Sequence, residues 1–363
     1  MAYTTIDDPS AHHQTKVYTG NGTDGQAYTF DGNSDMQPDW LWVKNRSNSG
    51  PYSGMIFDSS RGGNQGLFPD ANSAQGNTAY GYVGAFQTDG FTVTSGSSGD
   101  ERVNNNSDSY SMWGWKANGG TTSSNSDGSI TSTVQVNSTA GFSIVTYTGN
   151  GTNNATVGHG LGSTPDHVVV KCTSTTGYWI NNSFVWGTTD DGGPKNRYFN
   201  TTDVPQSDKI VRDFGSSTFT LSTSSASNTN TATYVAYCFK SIQGFSKISS
   251  YTGNGNADGP FVYTGFKPAW LLITRWSASS GSSTGTWLIS DSERDPVNPT
   301  NKIIKTNVSD AENTGYWYVD YLSNGFKVRL TDAEMNGDGH KMFYQAYAEH
   351  PFVSSEGVPT TAR

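Results

Sequence analysis

Cysteine is nearly absent: Cys172 and Cys238 are the only two in 363 residues. A disulfide framework of the kind that staples small secreted domains is therefore excluded. The two thiols are expected reduced and buried, as small hydrophobes, with one bond between them as the alternative. Charge is scarce too, at 15% charged residues and a net charge of −9. A groove for nucleic acid needs Lys and Arg to neutralise phosphate, so that class of partner is not expected. No apolar run approaches the roughly 18 residues of a membrane-spanning helix, so membrane insertion is not expected either. Helical periodicity and strong helix formers are missing throughout. The opening Met1–Pro9 has no basic stretch followed by an apolar one, so export through a signal peptide is not expected.

Catalytic signatures are likewise missing. The six histidines (His12, His13, His159, His167, His340, His350) are scattered, with no HExxH among them. There is no GxSxG, no P-loop and no Cys/His nucleophile set. Gly158–Gly162 lacks the GxGxxG spacing and reads as a hairpin turn. Asp31–Asp35 opens like a calcium loop, but Met36 and Trp42 stand where an EF-hand needs Gly and Glu. An Asx-rich turn is the reading there, with an irregular calcium loop as the alternative. No enzyme, cofactor or metal site is expected. A polysaccharide depolymerase, working through two carboxylates, is the remote alternative.

What is present is a repeat. Tyr18-Thr-Gly-Asn-Gly22 returns at Tyr147–Gly151 and at Tyr251–Gly255. Each copy is followed by Pro and a dense apolar run: Pro38–Arg46, Pro165–Cys172 and Pro268–Trp276. These read as strands led in by proline and covered on both faces. A second block follows in two copies, Asp58-Ser-Ser-Arg61 and Asp291-Ser-Glu-Arg294, and is lost in the middle one. The Asp and Arg read as an ion pair pinning a loop. Turn-plus-strand blocks come next at Asp89–Val93, Ser217–Leu221 and Asn324–Val328. Aromatic closing strands finish each copy at Tyr110–Lys116, Tyr234–Lys240 and Phe343–Glu349.

The order of landmarks predicts an all-β chain of three tandem antiparallel β-sandwich modules, of jelly-roll or lectin-like form. Their bounds are 17–118, 142–242 and 245–352. An N-terminal arm (1–16), a Gly/Ser/Asn-rich linker (119–141) and a C-terminal tail (353–363) complete the chain. Residues 129–136 alternate and suit a strand docking on a neighbour. The linker is expected to let the first module orient separately, with proteolysis concentrated between Ala117 and Ser129. The arm reads as an attachment segment or a loose end, and the tail as an extended arm that frays or binds a neighbouring subunit.

Aromatics on strands, such as Trp40, Trp42, Trp113, Trp115, Trp270 and Tyr347, are expected in the core. Aromatics near turns are the candidates for exposed contacts: Tyr52, Tyr178, Trp179 and Tyr316.

The succession Tyr-Thr-Gly-Asn-Gly, Gln37–Arg46, Phe57–Gly62, Asp89–Val93 and Met112–Ala117, with Met1–His12 at the start and Ala348–Phe352 at the end, resembles a repeat module common in virion proteins of marine tailed phages, including those of cyanobacteria. The resemblance covers nearly the whole chain and brings no catalytic residues with it. It implies a virion structural protein, made in the host cytoplasm and released by lysis. A tail-fibre or spike-like adhesin that binds a host surface glycan or protein without catalysis is the leading expectation. A capsid decoration or tail-sheathing protein that binds other virion proteins is the alternative. Repetition multiplies surface, so a homo-oligomer is expected.

Overall fold

The computed structural model describes residues 2–47, 52–98, 102–277 and 285–360. It is built of strands, with one short helix and two single turns of 3-10 helix. The first segment holds β1 (His13–Thr19), β2 (Gln26–Tyr28), β3 (Trp40–Asn45), β4 (Met55–Asp58), β5 (Tyr82–Phe86), β6 (Phe91–Thr94) and β7 (Ser109–Trp115). Then come β8 (Ser123–Asn125) and β9 (Ser132–Asn137). The second segment holds β10 (Phe142–Thr148), β11 (Thr156–Gly158), β12 (His167–Cys172), β13 (Trp179–Thr188), β14 (Pro194–Tyr198), β15 (Val211–Phe214), β16 (Thr218–Leu221) and β17 (Thr233–Phe239). The third holds β18 (Ser246–Thr252), β19 (Phe261–Tyr263), β20 (Phe266–Ser277), β21 (Leu288–Asp291), β22 (Thr300–Lys305), β23 (Asn313–Leu322), β24 (Gly325–Val328), the helix α1 (Ala333–Asn336) and β25 (Lys341–Pro351).

One strand order recurs. The first segment has a sheet β1-β7-β3-β4 and a smaller sheet β2-β6-β5. The second repeats the first order as β10-β17-β12-β13 and the second as β11-β16-β15. In the third, β18-β25-β20-β21 and β19-β24-β23 repeat both, but β22 joins them into one eight-stranded, nearly closed, barrel-like sheet. Every pair of named strands is antiparallel. The apolar runs occupy β3, β12 and β20, central strands buried along nearly their whole length, so both faces are covered and they carry little alternation.

The Tyr-Thr-Gly-Asn-Gly motif is a structural clamp, built alike each time. The tyrosine hydroxyl donates to a backbone carbonyl: Tyr18 to Val103 at 2.7 Å, Tyr147 to Ser227 at 2.8 Å and Tyr251 to Met335 at 2.7 Å. The backbone N–H of the motif asparagine donates to Oδ1 of a second, fully buried asparagine: Asn21 to Asn104, Asn150 to Asn228 and Asn254 to Asn336. That asparagine's Nδ2 returns to the chain just past the motif, at the carbonyls of Thr23, Thr152 and Asn256. The first glycine of the motif has no room for a side chain: a Cβ on Gly20, Gly149 or Gly253 would collide with the carbonyl oxygen of Asn105, Thr229 or Gly337.

Residues 119–141, expected as a linker, are largely ordered by neighbours. β9 pairs with β10 from Ser132 to Asn137, in the region where the alternating pattern places a docking strand. Gly119 and Gly120, at φ +59° and +78°, wrap their N–H groups around the buried Asp39 carboxylate. The arm and the tail are also docked on the chain itself. The Tyr3 hydroxyl donates to the Gly265 carbonyl at 2.9 Å, Thr4 Oγ1 donates to the Gln243 carbonyl at 2.9 Å, and Ser355 bonds Asp7. Cys172 and Cys238 are free, buried thiols. The register sets them apart, with Cys172 opposite Tyr234 and Cys238 opposite Val168.

Candidate functional site

The largest buried cluster draws aromatic residues from all three segments: Trp40, Trp42 and Trp115 from the first, Trp179, Trp186 and Phe239 from the second, Trp270, Trp287 and Tyr347 from the third. The segments therefore share one core, and their contacts run in a closed ring. In the first segment Asp58 pairs with Arg61 at 2.6 Å, and both reach the second segment's closing strand, where the Tyr237 hydroxyl donates to Asp58 Oδ2 at 2.6 Å. In the third, Asp291 pairs with Arg294 at 2.6 Å, and Trp113 Nε1 on the first segment's closing strand donates to Asp291 Oδ2 at 2.8 Å. Tyr237 and Trp113 hold the same place, opposite Val169 and Trp42. The third such place is Gln345, opposite Leu272, and there the second segment supplies His167, 3.1 Å from Gln345 Oε1. Beside it Trp186 packs on Phe343 at 5.1 Å. The middle copy has no Asp-x-x-Arg block, and its junction is made by the His167 imidazole and the Trp186 indole. The ion pairs inferred from sequence do pin their loops, with Arg61 N–H and Arg294 N–H donating to Asp58 Oδ1 and Asp291 Oδ1, and they also serve as joints between segments.

The buried charges at the joint between the third and first segments are compensated. Arg294 also reaches Glu312 at 3.0 Å, which in turn accepts from Arg46. Burial pushes the Glu312 carboxyl up, but its bonds to Arg46 and Arg294 outweigh that and hold it below the usual range. Burial alone pushes His13 down to about 3. Burial likewise pushes His167 down to about 4, against its bonds to Gln345 and Asn181. Both imidazoles are buried core groups in which desolvation disfavours the charged form.

An open groove of about 380 Å³ lies at the joint between the first and second segments. Its walls are Ser60, Arg61 and Gln75 on one side and Thr133, Thr146, Thr148, Thr173 and Thr233 on the other. Outward positions of β9 and β10 supply threonines in register, with Thr133 opposite Thr146. Such a wall offers hydroxyl and amide groups that both donate and accept. Arg61 is committed to Asp58, the Gln65 carbonyl, Gln75 and Tyr237. Asp58 is held by that guanidinium and by a phenol, so among the described residues this carboxylate is committed to the joint.

The aromatic candidates divide. Tyr178 is 46% exposed and packs on Tyr198 at 4.9 Å. Trp179 is a correction: it is 1% exposed and its Nε1 donates to the Phe68 carbonyl across the first joint. It starts β13 facing inward, where sequence placed a turn. Tyr52 is a second correction, buried at 9% exposure, its carbonyl capping the buried Lys44 ammonium at 2.6 Å. Tyr316 lies in β23, with its side chain outside the described residues. The groove threonines were missed because hydroxyls spread over β9, β10 and β17 have no signature in sequence.

These features define an all-β protein of three repeated units closed into a ring around a shared aromatic core. Residues 8–351 match the family described as a domain of unknown function, DUF7483, and the chain belongs to that family. No curated protein matches it.

Proposed function

We propose that this protein is a non-enzymatic structural component of a phage particle, acting as a spike-like adhesin that binds a host surface glycan. The reading rests on the groove at the first joint, whose hydroxyl and amide wall suits a polyol and whose only charged pair is committed to holding the joint. Its volume of about 380 Å³ is in the range of small-ligand sites. The resemblance to phage virion modules supports the setting. The recurring strand order supports reading the three segments as tandem sandwiches, and the copies' association into a homo-oligomer belongs to the same proposal. Exposed Tyr178 adds a second contact outside the groove.

Purified protein should bind host cells and slow phage adsorption. Thr133→Val with Thr148→Val should abolish that binding while leaving the melting temperature unchanged, since both side chains are exposed. Protein that binds only empty capsids or tails and leaves adsorption unchanged would move the role to capsid decoration or tail sheathing. Release of reducing sugar from host polysaccharide would make it a depolymerase.

A further inference from the structure

Among the described residues β1 is an edge strand that pairs with β7 alone. Its counterpart β10 is flanked on the outer side by β9, with Ile144 opposite Gln135 and Thr146 opposite Thr133. His13 faces Trp115 as Phe142 faces Phe239, so Thr15 stands where Ile144 stands and Val17 where Thr146 stands. Backbone bonds from Lys116 N–H to the His12 carbonyl and from Gly20 N–H to the Asp108 carbonyl fix the phase. Even-numbered residues of β1 turn their polar backbone toward β7, and odd-numbered ones turn it outward. Thr15 and Val17 thus present backbone donors and acceptors along a half-exposed edge, at the place where the second segment accepts a strand.

The surroundings repeat as well. Gln135 of β9 donates to Ser59 Oγ at 2.9 Å and to Ser60 Oγ at 2.6 Å. In the third segment Ser292 and Glu293 take the places of Ser59 and Ser60, following Asp291 as those follow Asp58. Between that loop and β1 lies a groove of about 160 Å³ lined in part by Thr15, Asp31, Glu293 and Glu349. Lys16 is paired with Asp31 and Lys267 with Glu349. Glu293 has no cation within ion-pair distance among the described residues. The edge of β18 differs, because Ile242 already bridges Ser246 and Ser241 Oγ accepts from Ile248 N–H.

We propose that β1 takes up an extended segment of a partner protein by strand addition, antiparallel as β9 is to β10, with a Lys or Arg opposite Thr15 that reaches Glu293. Main-chain bonds to Thr15 and Val17 supply affinity, and the acidic groove selects the partner. A basic partner is favoured over a second copy, because the chain carries a net charge of −9. The inference holds whether or not the threonine groove binds glycan.

The probe is a fluorescent peptide with the sequence of residues 129–138 in which Gln135 is replaced by lysine, titrated into the full-length protein by anisotropy. Saturable binding is expected, at least tenfold weaker for the peptide that keeps Gln135 and for Glu293→Gln protein. Val17→Pro should abolish it with the fold intact by circular dichroism, since that N–H makes no bond to β7 and proline is tolerated on a sheet edge. Absence of saturable binding, or binding unchanged in Val17→Pro or Glu293→Gln, would overturn the proposal. So would self-association of the protein that the peptide competes away, because the occupant would then be a second copy.

Discussion

Asn228→Ala tests whether the recurring motif is a clamp. Asn228 is fully buried. Its Oδ1 accepts from Asn150 N–H at 2.9 Å and Gly151 N–H at 3.3 Å; its Nδ2 donates to the carbonyls of Thr152 at 2.8 Å and Ser222 at 3.0 Å. Alanine removes these bonds; Gly151 N–H keeps the Asn228 carbonyl at 3.0 Å and the Thr152 carbonyl keeps Ala155 N–H at 3.3 Å, so Asn150 N–H and the Ser222 carbonyl bear the loss. Each unsatisfied buried group costs about 1–3 kcal/mol, and water entering the gap recovers part, so a loss of about 3–4 kcal/mol is expected. A cooperative unit of this length unfolds with an entropy of about 0.8 kcal/mol/K, so the melting temperature should drop about 4–5 °C. Asn228→Asp should be no milder at pH 7. It keeps both acceptor bonds but turns a carboxylate oxygen toward two carbonyls. Differential scanning fluorimetry with urea melts would measure both. A shift below about 1 °C for Asn228→Ala would refute the clamp.

The other predictions concern the joints. Asp291→Ala leaves the buried Arg294 guanidinium without its closest carboxylate, and should cost about 3–5 kcal/mol in urea unfolding. Trp113→Phe removes one charge-assisted bond to Asp291, and should cost about 1.5–3 kcal/mol. Stability should fall as pH drops below about 6.5, because the unfolded chain takes protons that buried His13 and His167 refuse until about 3 and about 4. Each of these two histidines adds about 1.4 kcal/mol per pH unit in that window. His12 and His159, also held low by burial, add to it, so His167→Gln should reduce the slope by about 1.4 kcal/mol per pH unit. Glu312, held low in the folded state, adds to the loss below the ordinary carboxylate range. Limited proteolysis should spare Ser132–Asn137, which β10 holds by main-chain bonding.

The strands were legible because apolar runs and turn residues are local signals. Every apolar run named from sequence lies on a central strand. The clamp was half legible. The motif announces itself, but its partner asparagines sit in different contexts, Val103-Asn104-Asn105, Ser227-Asn228-Thr229 and Met335-Asn336-Gly337. Their one shared signal is position, six residues before Tyr110, Tyr234 and Met342. The ring was not legible, because Asp291 meets Trp113 across 178 positions of chain. Composition alone did not show what residues 119–141 contact. Glycines that read as flexibility supply the positive φ that folds the backbone around Asp39. Trp179 misled for a related reason, since a residue beside a turn is still buried when a neighbouring segment covers it, as its bond to Phe68 shows.

The central claim is that three repeats form one cooperative body around a shared core, and scanning calorimetry tests it most directly. Unfolding enthalpy scales at about 0.7 kcal/mol per residue, so the whole chain should absorb about 250 kcal/mol near 60 °C. If the ring is one unit, the van't Hoff enthalpy will match that value in a single transition. A van't Hoff enthalpy near a third of the calorimetric one, or three resolved transitions, would show segments that unfold independently and would contradict the account.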